Sequence, residues 1–168
     1  MRFYLDNNYY FITCRTFNQE SFFLEDDLKQ LLLDKILETS KNFEFKIDAH
    51  SILSNHYHLL FYLLKGLELK EIIQRINGWI SYELNKFGKK YSSIWEPYHN
   101  KNISDEEAYF NVMGYIIGNP FKHGLVKSIS GLKDYKFCNY NEKAKEYGIE
   151  GINEIIYKVK NLNWEINL

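Results

Sequence analysis

Hydrophobic and polar positions follow two periods along this chain, and the switches between them mark its elements. Tyr9 to Arg15 (YYFITCR) is rich in aromatic and β-branched residues and predicts a first strand. From Glu25 to Lys41 the apolar positions Leu28, Leu31, Leu32, Ile36 and Leu37 recur at helical spacing. Phe43 to Leu53 alternates through Phe43, Phe45, Ile47 and Ala49 and predicts a second strand. Ser54-Asn55 then turns the chain into a third, His56 to Leu64. Leu69 to Phe87 is the clearest helix, with Leu69, Ile72, Ile73, Ile76, Ile80 and Leu84 on one stripe and Gly88 as its C-terminal cap. Ser92 to Ile103 reads as a short strand and loop. A third helix starts at Ser104, where Ser104 and Glu107 fit an S-x-x-E capping box, and should end near Gly118, ahead of Pro120. Beyond Asn141 the chain is charged and partly helical.

The order β-α-β-β-α-β with added helices predicts an α+β fold: a ferredoxin-like antiparallel sheet with helices packed on it. We expect residues 1–140 to form the main domain and 141–168 a C-terminal tail. At 168 residues one domain can bury roughly 70% of its unfolded surface. A hydrophobic content of 45%, with 14 Tyr, 12 Phe and 3 Trp, supplies a packed core. No apolar run is long enough to span a membrane, and the start lacks the pattern of a secretory leader. Cys14 and Cys138 have no paired spacing and fit buried thiols in a reduced, cytoplasmic protein. A protein held to DNA chiefly through phosphates is usually basic, whereas the net charge here is −1. Lysines do cluster at Lys86, Lys89 and Lys90, but any one such cluster reads first as solvated surface.

The densest chemistry lies in Ser54-Asn55-His56-Tyr57-His58-Leu59-Leu60. Residues i and i+2 of a strand share a face, so His56 and His58 project side by side, a two-point grip for a divalent metal. On the third helix, at about 100° per residue, Tyr115 and Asn119 fall on one side, a turn apart. From spacing alone the plainer readings come first. These are half-buried strand histidines, and a core tyrosine followed by a capping asparagine. Taken together, the two features outline a site of two imidazoles, one amide oxygen and one phenol.

Four segments, YYFITCRTFNQESFF (9–23), SILSNHYHLLFYL (51–63), IIQRINGWISYELNKFGKKYSSIWEPYHNKNI (72–103) and YIIGNPFKHGLV (115–126), resemble in that order the single-tyrosine HUH transposases. Within that superfamily they are most similar to the REP-associated tyrosine transposase branch. The NHxHLL and YIxxNPxKxGLV blocks carry the likeness. Leu53-Ser54, Tyr57, Gly118 and Phe137-Cys138-Asn139 depart from the common pattern. The resemblance implies His56 and His58 as ligands of Mg²⁺ or Mn²⁺, Asn119 as the residue completing that site, and Tyr115 as nucleophile. It also implies a homodimer acting on single-stranded or hairpin DNA.

Under that reading Tyr115 attacks a DNA phosphate, forms a 5′-phosphotyrosine and releases a 3′-hydroxyl, which a later strand transfer reverses. The expected cation neutralises the phosphate, since a phenol of ordinary pKa near 10 is a weak nucleophile at neutral pH. Arg15, Arg75, Lys86, Lys89 and Lys122 are candidate DNA contacts, and Trp79 and Trp95 candidate stacking platforms. Two other readings stand beside the strand transferase. One is a domesticated binding protein that holds hairpin or single-stranded nucleic acid without cutting it. The other is a metal-dependent hydrolase with no covalent step.

Overall fold

The computed structural model describes residues 4–86 and 91–165. Its elements run β1 (Asn8–Arg15), α1 (Asp26–Asn42), β2 (Ile47–Ile52), β3 (His56–Leu63), α2 (Glu68–Lys86), β4 (His99–Ile103), α3 (Glu106–Lys122) and α4 (Tyr140–Asn161). The sheet order is β2-β3-β1-β4 with antiparallel pairing throughout, the predicted ferredoxin-like arrangement.

Strand alternation sends the two halves of the sequence pattern to two cores. Tyr10, Ile12, Cys14, Tyr57, Leu59 and Phe61 face α1 and α2, where they meet Leu32, Ile36, Ile72, Ile76 and Ile80. Leu60, Ala49 and Ile103 face the other way, against Val112, Met113, Ile116 and Ile117 of α3 and Ile152 and Ile156 of α4. An irregularity between Ile47 and Ala49 in the β2–β3 pairing sets Ala49 against Leu60 and Ser51 against His58. Helix α3 packs chiefly on β2 and β3, and α4 packs along α3. The β1–β4 half of that face therefore stays open, and His99 and Lys101 are exposed on it.

Local departures from the predicted boundaries have identifiable causes. Strand β2 begins at Ile47, not Phe43, because Phe43–Phe45 closes α1 instead. Phe45 N donates to Ser40 O (3.0 Å) and Glu44 N to Lys41 O, with Glu44 in the left-handed region at φ 54°. Helix α3 starts two residues later than expected. Asp105, not Ser104, is its N-cap, accepting Ala108 N at 2.8 Å, while the Ser104 hydroxyl turns to the Asp105 carboxylate.

At its other end α3 runs through Pro120 to Lys122 instead of stopping near Gly118. The ring removes one donor, so the break costs one hydrogen bond close to the helix end. Complete burial of Ile116, Ile117 and Asn119 outweighs that loss. The helix then closes in a Schellman turn: Leu125 N donates to Pro120 O and Gly124 N to Phe121 O, with Gly124 at φ 73°. Helix α4 is more regular than expected for the tail, broken only where Gly148 takes φ 79°. The predicted Gly88 cap lies outside the described residues. Both thiols are buried. Among the described residues no helix is long and apolar enough to cross a membrane.

A candidate metal and nucleophile site

The site forms where β1 ends and β3 begins. Antiparallel register sets Arg15 opposite His56 and Thr13 opposite His58, and all four side chains face α3. The two imidazoles stand with ring centroids 5.0 Å apart. Helix α3 brings Tyr115 edge-on to His58 at 5.4 Å, and one turn later Asn119, whose Oδ1 lies 3.1 Å from His56 Nε2. Arg15, His56, His58, Tyr115 and Lys122 line one cavity of about 310 Å³, together with Gln19, Asn55 and His123.

Hydrogen bonding behind the rings orients them. His56 Nδ1 is 2.7 Å from Asn55 Oδ1, and Asn55 is itself fixed by its Nδ2 donating to Gln19 O. A carboxamide oxygen only accepts, so the neutral ring carries its proton on Nδ1 and turns the Nε2 lone pair toward Asn119. His58 has its Nδ1 2.9 Å from Thr13 Oγ1, a hydroxyl that can either donate or accept and holds the ring in place. Its Nε2 is buried with no hydrogen-bond partner among the described residues, as are Asn119 Nδ2 and Ser51 Oγ.

Two lone-pair atoms 3.1 Å apart repel each other. Either the Asn119 carboxamide rotates to offer an N–H, or a cation sits against both acceptors. Adjacent ligands of an octahedral ion at about 2.1 Å lie roughly 3.0 Å apart. The separation, the orphaned His58 nitrogen and the hydrogen bond behind each ring thus fit a small divalent cation. Among the described residues no three His, Cys, Asp or Glu side chains converge as a metal cluster. An ion held here would rest on two imidazoles and an amide oxygen, with positions left for water or phosphate.

Burial holds both histidines in the neutral form. Desolvation pulls His56 down to about 4; contact with Asn119 opposes this, while His123, Arg15 and Lys122 add to it. Desolvation depresses the wholly buried His58 further, assisted by His56 and the same cations. The field from Arg15 and Lys122 suits an anion in the cavity. Lys122 Nζ also donates to Tyr115 Oη at 3.2 Å and lies over its ring.

Not every expected residue joins this group. Arg75 and Lys86 belong to α2, on the opposite face of the sheet. There Arg75 pairs with Glu71 at 3.3 Å over the Phe43 ring, and Lys86 pairs with Glu83 at 2.7 Å. Both lie apart from this cavity, in ion pairs on the helix surface. Lys89 lies outside the described residues. Trp79 packs under Lys35, and Trp95 stacks on Phe23 with its N–H donated to Asn77 O, so both serve packing. Two residues escaped the sequence reading. His123 stands edge-on to His56 at 5.1 Å, one helical turn beyond Asn119, a spacing that was available as a signal. Trp164 comes from the far end of the chain to a second cavity beside Tyr115.

A family model described as "Transposase IS200 like" matches residues 5–119. The chain belongs to that family of transposases. Among its relatives is the REP-associated tyrosine transposase of Escherichia coli (strain K12), 27% identical over 141 residues, covering 83% of this chain and 81% of the relative. A second relative, from Haemophilus influenzae, is 29% identical over 140 residues, covering 73% of this chain and 78% of its own length. A solved REP-associated tyrosine transposase bound to a REP hairpin superposes with a TM-score of 0.72 at 25% identity. That match covers 84% of this chain and 82% of the other.

Proposed function

We propose that this transposase cuts and rejoins single-stranded DNA beside a hairpin through a covalent bond to Tyr115. One observation carries the reading: Tyr115 stands against His58 in the cavity that holds His56, with Asn119 of the same helix touching His56. The hairpin is proposed by likeness to the solved relative, which holds a REP hairpin.

His56, His58 and Asn119 would hold Mg²⁺ or Mn²⁺; such an ion neutralises the scissile phosphate and polarises its oxygens. Zinc or nickel also suits two imidazoles, and occupancy by either need not support the reaction. Tyr115 Oη attacks phosphorus in line. The P–O3′ bond breaks, the phenolic proton passes through water to the departing oxygen, and a 3′-hydroxyl and a 5′-phosphotyrosine result. Lys122, already donating to Tyr115 Oη, steadies the negative charge as the phenol gives up its proton. Arg15 faces the phosphate across the cavity. In strand transfer an incoming 3′-hydroxyl attacks the phosphotyrosine, and the phenol is restored without a nucleotide cofactor.

The test is cleavage of a labelled hairpin oligonucleotide with a single-stranded flank, in Mn²⁺ or in chelator. Cutting should need the ion, and His56→Ala should lower both Mn²⁺ affinity and cutting at least a hundredfold. Cutting in chelator, or a His56→Ala protein with unchanged Mn²⁺ affinity, would contradict the ligand assignment. Tight hairpin binding with no cutting under any ion would favour the non-cutting binding protein.

A further inference from the structure

Helix α4 ends at Asn161, and the next turn is built in an uncommon way. Asn163 and Trp164 both adopt left-handed backbone, at φ 52° and 61°, which non-glycine residues rarely do once and more rarely twice in succession. Trp164 N donates to Val159 O at 2.9 Å and Glu165 N to Leu162 O, which fixes the turn. Its effect is to swing the indole back over α3. There the six-membered ring rests on Gly118. A Cβ at that position would lie 2.7 Å from indole Cζ3 and 2.8 Å from Cη2, so a side chain at 118 would displace the ring.

Anchoring α4 does not explain this device, because Ile152, Ile156 and Val159 already bury completely. Trp164 remains half-buried. Its free surface lines a cavity of about 300 Å³ shared with Phe11, Arg15, His99, Lys101 and the nucleophile Tyr115. That cavity occupies the open β1–β4 half of the face, directly beside the histidines. A half-exposed indole flanked by guanidinium and ammonium groups is the chemistry that holds an unpaired base over a tracked phosphate backbone.

We infer that Trp164 is a stacking platform for a nucleobase of the single strand next to the scissile phosphate, and that Gly118 is the clearance that seats it. The inference rests on the reading of Tyr115 as a DNA nucleophile. It extends the site into the tail and makes Trp164 a positioning residue.

The experiment uses the full chain, a 5′-fluorescein oligothymidylate of twelve nucleotides and chelator, so that binding is read without chemistry. Stacking strengths of this kind predict that Trp164→Ala weakens binding roughly 5- to 100-fold. Trp164→Phe should recover most of the loss, Gly118→Leu should mimic Trp164→Ala, and Trp79→Phe should bind like the parent. A single abasic position walked along the oligonucleotide supplies the readout that a packing role would not move. One position should be costly for the parent protein and neutral for Trp164→Ala. Equal binding by Trp164→Ala, tighter binding by it, or an abasic profile it shares with the parent would each overturn the proposal. If Tyr115 still forms its DNA adduct in those cases, only the stacking role falls. If the parent neither binds nor forms an adduct with any strand, both readings fall.

Discussion

The two faces of the sheet are built to different ends. On the α1–α2 face the core is largely apolar: Tyr57 donates to Asn77 Oδ1 at 2.9 Å and Trp95 to Asn77 O at 3.1 Å, while Asn8 Oδ1 and Asn102 Nδ2, near the far end of the strands, are buried without partners among the described residues. On the α3 face the same strands carry His56, His58, Thr13 and Ser51, and three buried polar atoms there lack partners among the described residues. Helix α3 covers that face only in part, leaving Lys101 and His99 exposed beside Tyr115. Leaving a buried polar atom unmatched costs about 1–3 kcal/mol, and on the α3 face such atoms gather beside a cavity lined by Arg15 and Lys122, where they are ready for an outside partner. The lesson is that the α1–α2 face supports the fold and the α3 face is where binding and chemistry are sought.

Substitutions on each face should therefore separate activity from stability. The largest effect is expected from His58→Ala. It should remove metal-dependent cutting and lower Mn²⁺ affinity while leaving thermal unfolding in chelator within a few degrees of the parent; a large loss of stability with metal affinity retained would make His58 a core residue. Ile76→Ala, fully buried against the other face, should do the reverse. It should lower unfolding free energy by about 2–5 kcal/mol while the folded fraction cuts DNA at the parental rate, as urea titration and single-turnover cleavage would read.

Acid sharpens the same contrast. His50 on the α1–α2 face and His56 in the site are both held down to about 4 by burial. In the unfolded chain their pKa returns to about 6.5. Below that pH the unfolded state binds protons the folded state refuses, so stability falls as pH drops from 6.5 towards 4. Each histidine should contribute about 2–3 kcal/mol of loss by pH 4.5 in chelator. His50→Gln should flatten that slope without changing Mn²⁺ affinity; an unchanged slope would remove His50 from the account. The smallest effect is expected at Arg75→Gln, whose exposed i,i+4 pair should be worth under about 1 kcal/mol. DNA affinity should also hold, and a tenfold loss there would return α2 to the DNA surface.

Much of the α3-face site was legible because it is local in sequence. Strand period two puts His56 beside His58, and helix period 3.6 puts Tyr115 beside Asn119. Joining the two pairs took the family resemblance, since nothing in either period says that α3 crosses β3 at that point. Trp164 was beyond reach for a stronger reason: its contact with Gly118 spans the chain and depends on two left-handed residues that composition does not announce. The expected cap at Ser104 and stop at Gly118 failed where neighbouring choices compete. Asp105 offers a better-placed carboxylate, and the burial of Asn119 carries the helix through Pro120.

The central claim is that one tyrosine forms a bond to DNA, and mapping that bond tests it most directly. The full-length protein would be incubated with Mn²⁺ and a hairpin oligonucleotide bearing a single-stranded flank, then digested and analysed by mass spectrometry. The account predicts a nucleotide linked through its 5′-phosphate to the peptide carrying Tyr115, absent in chelator and absent from Tyr115→Phe, which should still bind the hairpin. Metal-dependent cutting by Tyr115→Phe, or an adduct on any other residue, would contradict it.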